Sequence, residues 1–198
     1  MLATAAKLFA ANGYARTTLA KIAAEAGVSA ETVQGQGPKA ALLMAAIDHV
    51  AFGVTGEENV FNLEVGRALL AIDDYEDAVD AVVAAASDVH EKTAPLAPAL
   101  LGGANADPDL KRFMNELFAS IALQFRRVLE AFRDRGWLRG DVPFDELVMT
   151  TAVLCGVETY LQTRREGWKV DDYRSWLRRM LAETVFVSPQ PTTTRSVK

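Results

Sequence analysis

The stretch Thr18-Leu19-Ala20-Lys21-Ile22-Ala23-Ala24-Glu25-Ala26-Gly27-Val28-Ser29-Ala30-Glu31-Thr32-Val33-Gln34-Gly35-Gln36 decides how this chain is read. Its spacing is that of a helix-turn-helix. Two helices that cross closely need a small residue at the crossing, and Ala23 supplies it. Four positions later the turn needs a residue tolerant of left-handed backbone, and Gly27 stands there. Leu19, Ile22, Val28 and Val33 are spaced to pin both helices onto a third, and the hydroxyls of Thr18 and Ser29 can cap their first turns. In such a unit the second helix lies with its N-terminal part in a major groove. Ser29, Ala30, Glu31, Thr32, Gln34 and Gln36 then face the DNA, and Val33 faces inward. Gln34 and Gln36 suit adenine edges, and Glu31 suits a cytosine amino group. Thr17, Thr18 and Lys39 are placed for phosphates, which fix register rather than sequence. The same spacing also suits a plain three-helix bundle in which Gln34 to Gly37 is a solvated loop.

The flanking sequence reads as helix throughout, giving an all-α expectation. Leu2 to Ala11 carries Leu2, Ala5, Leu8 and Phe9 on one face, and Asn12-Gly13 is an expected stop. Pro38 opens a fourth helix through about Val54, and 55–73 reads as a looser stretch. From Asp74 a helix carries the stripe Ala78, Val79, Val82, Val83, Ala86 and Val89. A shorter helix is expected over Thr93 to Leu101, and Asp107-Pro108 starts a long one to about Arg135. Two more are expected over 143–165 and 171–187. The implied organisation is a helix-turn-helix head (1–37), a connecting helix (38–54), a helical body (55–187) and a disordered tail (188–198).

The net charge of −5 is unusual for a DNA binder, but its distribution is uneven. Residues 1–50 hold Lys7, Arg16, Lys21 and Lys39 against Glu25, Glu31 and Asp48, so the acidic excess lies in the body. No apolar run is long enough to span a bilayer, and Met1 leads straight into an amphipathic segment rather than a signal peptide. The single cysteine, Cys155, cannot form an internal disulfide, which fits a reducing cytoplasm.

The run Ala5-Ala6-Lys7-Leu8-Phe9-Ala10-Ala11-Asn12-Gly13-Tyr14, with Thr17 to Ser29 and Gly37-Pro38-Lys39-Ala40-Ala41-Leu42-Leu43, resembles the opening of TetR-family transcriptional regulators. The resemblance is specific over about residues 2–53 and has an actinobacterial, Ala- and Arg-rich style. It implies a cytoplasmic homodimer that binds a near-palindromic operator on double-stranded DNA and acts as a repressor. It also implies a small-molecule effector in the body that alters the separation of the two heads. The last two helices would form the subunit interface, for which Leu147, Thr151, Leu154, Tyr173, Trp176, Leu177, Met180 and Leu181 are the candidates. Where relatives carry an aromatic pair in the recognition helix, this chain has Gln34-Gly35-Gln36-Gly37, one residue short. It also begins at the first helix, without the basic arm that usually precedes it. These departures leave open a second reading, a TetR-like binding module whose head no longer reads DNA.

Other constellations are sparse. His49 and His90 with one cysteine do not make a zinc site, and no cofactor is implied. His49, Phe113, Leu117, Phe118 and Ile121 are the candidate lining of an effector pocket. Asp73-Asp74 and Asp171-Asp172 precede helices, where capping explains them, and no catalytic set assembles, so an enzyme is not expected.

Overall fold

A computed structural model describes residues 1–53 and 68–188. Helix α1 (Leu2–Arg16) runs past its expected stop at Ala11. The chain leaves helical geometry at Gly13, where φ is 74° and ψ 174°, then resumes a last turn that carries Tyr14. Thr18 caps α2 (Leu19–Ala26) by accepting from the Lys21 amide, and Gly27 closes it in the left-handed conformation. Ser29 caps α3 (Ala30–Gln34) in the same manner, through the Thr32 amide. α4 (Lys39–Phe52) follows Pro38 and ends on Gly53, slightly short of Val54. Residues 54–67, most of the looser stretch, lie outside the described residues, as does the tail from 189.

Asp74 caps α5 (Tyr75–Thr93) through the Asp77 amide. Its buried face keeps Ala78, Val79, Val82 and Val83 but then runs through Ser87, His90 and Thr93, rather than Ala86 and Val89. Polar side chains are tolerated there because each finds a carbonyl: Ser87 donates to Val83, Thr93 to Val89, and His90 reaches Cys155. α6 (Ala97–Gly103) starts later than expected and includes both glycines, since Pro95 falls in the turn before it. α7 (Pro108–Asp134) is 27 residues long and is capped by Asp107, whose Oδ1 accepts from the amides of Asp109 and Leu110.

The expected helix over 143–165 is two helices, α8 (Phe144–Leu154) and α9 (Val157–Arg165). The break is at Cys155-Gly156, where Gly156 turns extended (φ −76°, ψ 148°). A Cβ on that glycine would stand 3.0 Å from the Ala152 carbonyl oxygen. α10 (Val170–Thr184) stops before the expected 187, because Val185 to Val187 pair with the turn after α7. There the Arg139 amide donates to Val185 and the Val187 amide to Trp137.

Two apolar clusters hold the described residues together. One joins α5, α7, α8 and α10 around Phe132, Leu147, Tyr173, Leu177 and Leu181. The other lies under the head, around Phe9, Ile22, Val33, Leu42 and Leu43, and draws in Leu96, Ala99, Leu100 and Leu110 from α6, α7 and the turn before α6. The head is thus packed on the α6–α7 corner as well as on α4.

Candidate nucleic-acid interface

The reading helix is built from its inner side. Ile22, Ala23 and Val33 are buried in one cluster with Phe9 and Leu43, so the opposite side of α3 must face solvent. Ser29, Ala30, Glu31, Thr32, Gln34 and Gln36 are all exposed. Gln34 is the last helical residue and Gln36 lies in the turn beyond it, closed by Gly37 at φ 103°. Five helical residues make less than two turns, roughly 7–8 Å of axis. The Ser29 and Thr32 hydroxyls also hydrogen-bond to each other at 3.1 Å. The Glu31 carboxyl is held below its usual range by backbone and Ser29 hydrogen bonds, so the face presents a carboxylate beside amides and hydroxyls.

Two of the expected phosphate contacts are engaged inside the protein. Thr17 is fully buried; its hydroxyl donates within reach of the Leu8 carbonyl (3.1 Å) and the Gly13 carbonyl (2.8 Å), tying the kink in α1. It offers nothing to a phosphate, which corrects that expectation. Lys39 donates from Nζ to the Tyr14 carbonyl at 3.0 Å, and its ammonium lies 4.0 Å from the Tyr14 ring centroid. Thr18 remains exposed, flanked by the exposed cations Arg16 and Lys21, and Lys21 donates to the Arg16 carbonyl. Arg16 and Lys21 are the cationic surface that the residue-by-residue reading passed over. Their neighbourhood to Thr18 was the available signal.

In the body, His49 is half-buried on α4. Phe113 and Leu117 pack partly against the head cluster, while Phe118 and Ile121 are exposed. None of these five lines either of two surface grooves. One groove, of about 560 Å³, is lined by Glu158, Gln162, Glu166, Trp168 and Trp176 among others. The second, of about 360 Å³, is bordered by Arg133, Arg139, Val142 and Phe144. Among the described residues no three His, Cys, Asp or Glu side chains converge as a metal site, and no helix is long and apolar enough to cross a membrane.

The histidine that sequence reasoning set aside has the most unusual setting. His90 Nε2 lies 2.7 Å from the Cys155 carbonyl oxygen, at the α8–α9 break. A carbonyl only accepts, so Nε2 carries the proton, and the buried Nδ1 has no hydrogen-bond partner among the described residues. Burial holds this imidazole below its ordinary value of 6.5. The Cys155 thiol is fully buried and pushed up to about 12, which makes it inert.

The expected interface residues divide. Leu147, Thr151, Tyr173, Leu177 and Leu181 are buried in this chain's own core and have no surface to offer a partner, which corrects their assignment. The reason is that α10 lies on α5 as well as α8, with Arg174 paired to Asp88 and Arg178 to Glu76 and Asp80. Leu154, Trp176 and Met180 are only partly buried. Beside them on α8, Met149 is 64% and Val153 58% exposed, two apolar residues not anticipated as a face.

Residues 1–34 match the family model of bacterial regulatory proteins, tetR family. No curated protein matches the chain in sequence. Several solved structures match its fold. The SmeT–triclosan complex superposes with a TM-score of 0.71 at 20% identity, covering 96% of this chain and 95% of that one. A Saccharomonospora viridis protein solved in complex with choline gives 0.69 at 19% identity, covering 94% and 96%. The TetR family transcriptional regulator PfmR from Thermus thermophilus gives 0.63 at 20% identity, covering 91% and 92%.

Proposed function

We propose that this chain, whose first 34 residues match the tetR family model and whose fold matches that of a TetR family regulator, is a ligand-responsive transcriptional regulator that binds DNA as a homodimer. The observation that carries this reading is the exposed row Ser29, Ala30, Glu31, Thr32 and Gln34 on a helix whose other side is buried through Val33. Gln34 reads a base edge, Thr18 with Arg16 and Lys21 holds phosphates, and Gln36 contacts the backbone from the turn. Lys39 spends one of its three N–H donors on the Tyr14 carbonyl and keeps the others for a phosphate. Residues 1–37 act as the head, α4 as the connector, and the remaining helices as the effector-binding and dimerising body. Two copies meet through Met149, Val153, Leu154, Trp176 and Met180. The protein works in the cytoplasm as a repressor and is not an enzyme. Its effector is a small molecule, a reading supported by the choline and triclosan complexes among the matching structures, and His49 on α4 with Phe113, Leu117, Phe118 and Ile121 on α7 are the residues assigned to receive it.

A second reading is favoured by the brevity of α3 and by the two glycines that follow Gln34. On that reading the protein keeps the fold and the effector but has lost sequence-selective DNA binding. Fluorescence anisotropy on duplex DNA from upstream of the protein's own gene, against a scrambled duplex across a salt series, decides between them. Selective binding with two protomers per site supports the regulator. Equal, weak binding to both duplexes supports the second reading.

A further inference from the structure

Within the apolar contact between head and body, Tyr14 makes the polar fastening. It lies in the last turn of α1, beyond the Gly13 kink, and only 6% of it is exposed. Its ring stacks on Phe9, with centroids 6.0 Å apart and planes 14° apart. From the connector, Lys39 takes its carbonyl and covers its ring. From the body, Asp107 accepts its hydroxyl: Tyr14 Oη donates to Asp107 Oδ2 at 2.5 Å, across 93 residues of sequence.

The body is shaped for this contact. Gly103, the last residue of α6, has no side chain where one would collide with Tyr14. A Cβ there would stand 2.7 Å from Tyr14 Cγ and 2.7 Å from Leu110 Cδ2. Asp107 divides its two oxygens between two tasks. Oδ1 takes both amides at the start of α7, which is all that capping requires, and Oδ2 is left for the tyrosine. The hydrogen bond holds the Asp107 carboxyl below its usual range.

α7 joins this corner to the far core. Capped by Asp107, it reaches Leu129 and Phe132, roughly 32–36 Å along its axis, in the cluster of α5, α8 and α10. Asp107, Tyr14 and Lys39 thus form a continuous set of contacts from the start of α7 to the start of α4.

We propose that Asp107 is a positioning residue for DNA binding, which fixes the orientation of the helix-turn-helix head on the body through the hydroxyl of Tyr14. The inference rests on the regulator reading for its consequence, but its physical content, a fixed head, is separately measurable.

The test uses the full chain with Lys7, an exposed residue of α1, replaced by cysteine and spin-labelled. The native Cys155 is buried and unreactive, so the label reports the head alone. Into this background go Tyr14→Phe, which keeps the ring and removes only the hydroxyl, Asp107→Ser, which keeps a capping hydroxyl but is too short to reach Tyr14, and the pair together. A matching label at Ser120 on α7 reports the body. The expected result is that each single variant loosens the head label, the double variant loosens it no further, and the Ser120 label stays as ordered as in the parent while the melting temperature falls by roughly the few degrees that one lost hydrogen bond costs. Affinity for the upstream duplex should fall at least fivefold in each single variant. A head label as ordered in Tyr14→Phe as in the parent overturns the proposal, as do effects that add in the double variant. If the parent binds no DNA, the regulator reading fails by itself, while the label still decides whether Asp107 fixes the head.

Discussion

Thr17 and His90 show how a single side chain changes meaning once its partners are known. Thr17 reads in sequence as a surface hydroxyl at the start of a DNA-binding helix, yet its one proton is held between the carbonyls of Gly13 and Leu8 at the kink in α1. Thr17→Val keeps the volume but removes the donor. It should cost about 1–3 kcal/mol of stability, as an unmade buried hydrogen bond does, while leaving the salt dependence of DNA binding unchanged. Chemical denaturation with a parallel salt titration reads both quantities, and a shallower salt slope would return Thr17 to the phosphate contacts. His90 is buried neutral with its pKa lowered, so the unfolded chain binds the proton more readily than the folded one. Its neutral form supports stability fully above the ordinary value of 6.5, and that support is lost as pH falls from there toward the lowered folded value. The melting temperature should therefore drop on acidification through that window. His90→Gln, which keeps a donor for the Cys155 carbonyl, should flatten that part of the profile. An unchanged profile would show that His90 does not titrate with unfolding.

At the scale of elements, caps and turns follow local chemistry closely. Thr18, Ser29, Asp74 and Asp107 all cap as their residue types suggest, and Gly27 takes the left-handed turn. At Gly27 (φ 66°, ψ 31°) an added Cβ meets nothing within 4 Å, so the cost of a side chain is backbone strain alone. Gly27→Ala should destabilise by roughly 1–2 kcal/mol, and Gly27→Asn by less, because asparagine visits this conformation more readily. Equal losses in thermal unfolding would indicate a packing defect instead. Boundaries that depend on neighbours were less legible. The α8–α9 break sits inside an apolar run with no proline to announce it, and what distinguishes Gly156 is its close approach to the carbonyls of Ala152 and Val153. The inward drift of α5 toward Ser87 and His90 likewise depends on where α8 and α10 lie.

At the scale of the whole molecule, the question is which apolar surface is left over. The resemblance to TetR regulators implies that the apolar face of α10 is a subunit interface, a face that a single-chain core could equally cover; Tyr173, Leu177 and Leu181 are consumed by the chain's own core. The most exposed of the apolar side chains left over among the described residues are Met149 and Val153 on α8, ahead of Phe118, Ile121 and Leu123 on α7, while Trp176 and Met180 on α10 are partly buried. Replacing Met149 with lysine and Val153 with glutamate should shift the protein from dimer to monomer in sedimentation equilibrium, with little change in far-UV circular dichroism. A persistent dimer would place the interface elsewhere. The ion pairs of Arg174 and Arg178 that hold α10 against α5 are partly exposed and contribute little each, so apolar packing decides how α10 sits.

The sequence by itself determined the all-helical class, the helix-turn-helix and its inner pins, because these rest on local rules of periodicity, capping and backbone freedom within a few dozen residues. Only the tertiary structure decided that Thr17 is buried, that Lys39 is drawn to Tyr14, that Tyr14 meets Asp107, and that much of an expected interface is core. An amphipathic stripe states that a face must be covered but not by what. Contacts between residues 93 positions apart depend on how every intervening helix is stacked, and no local pattern encodes that.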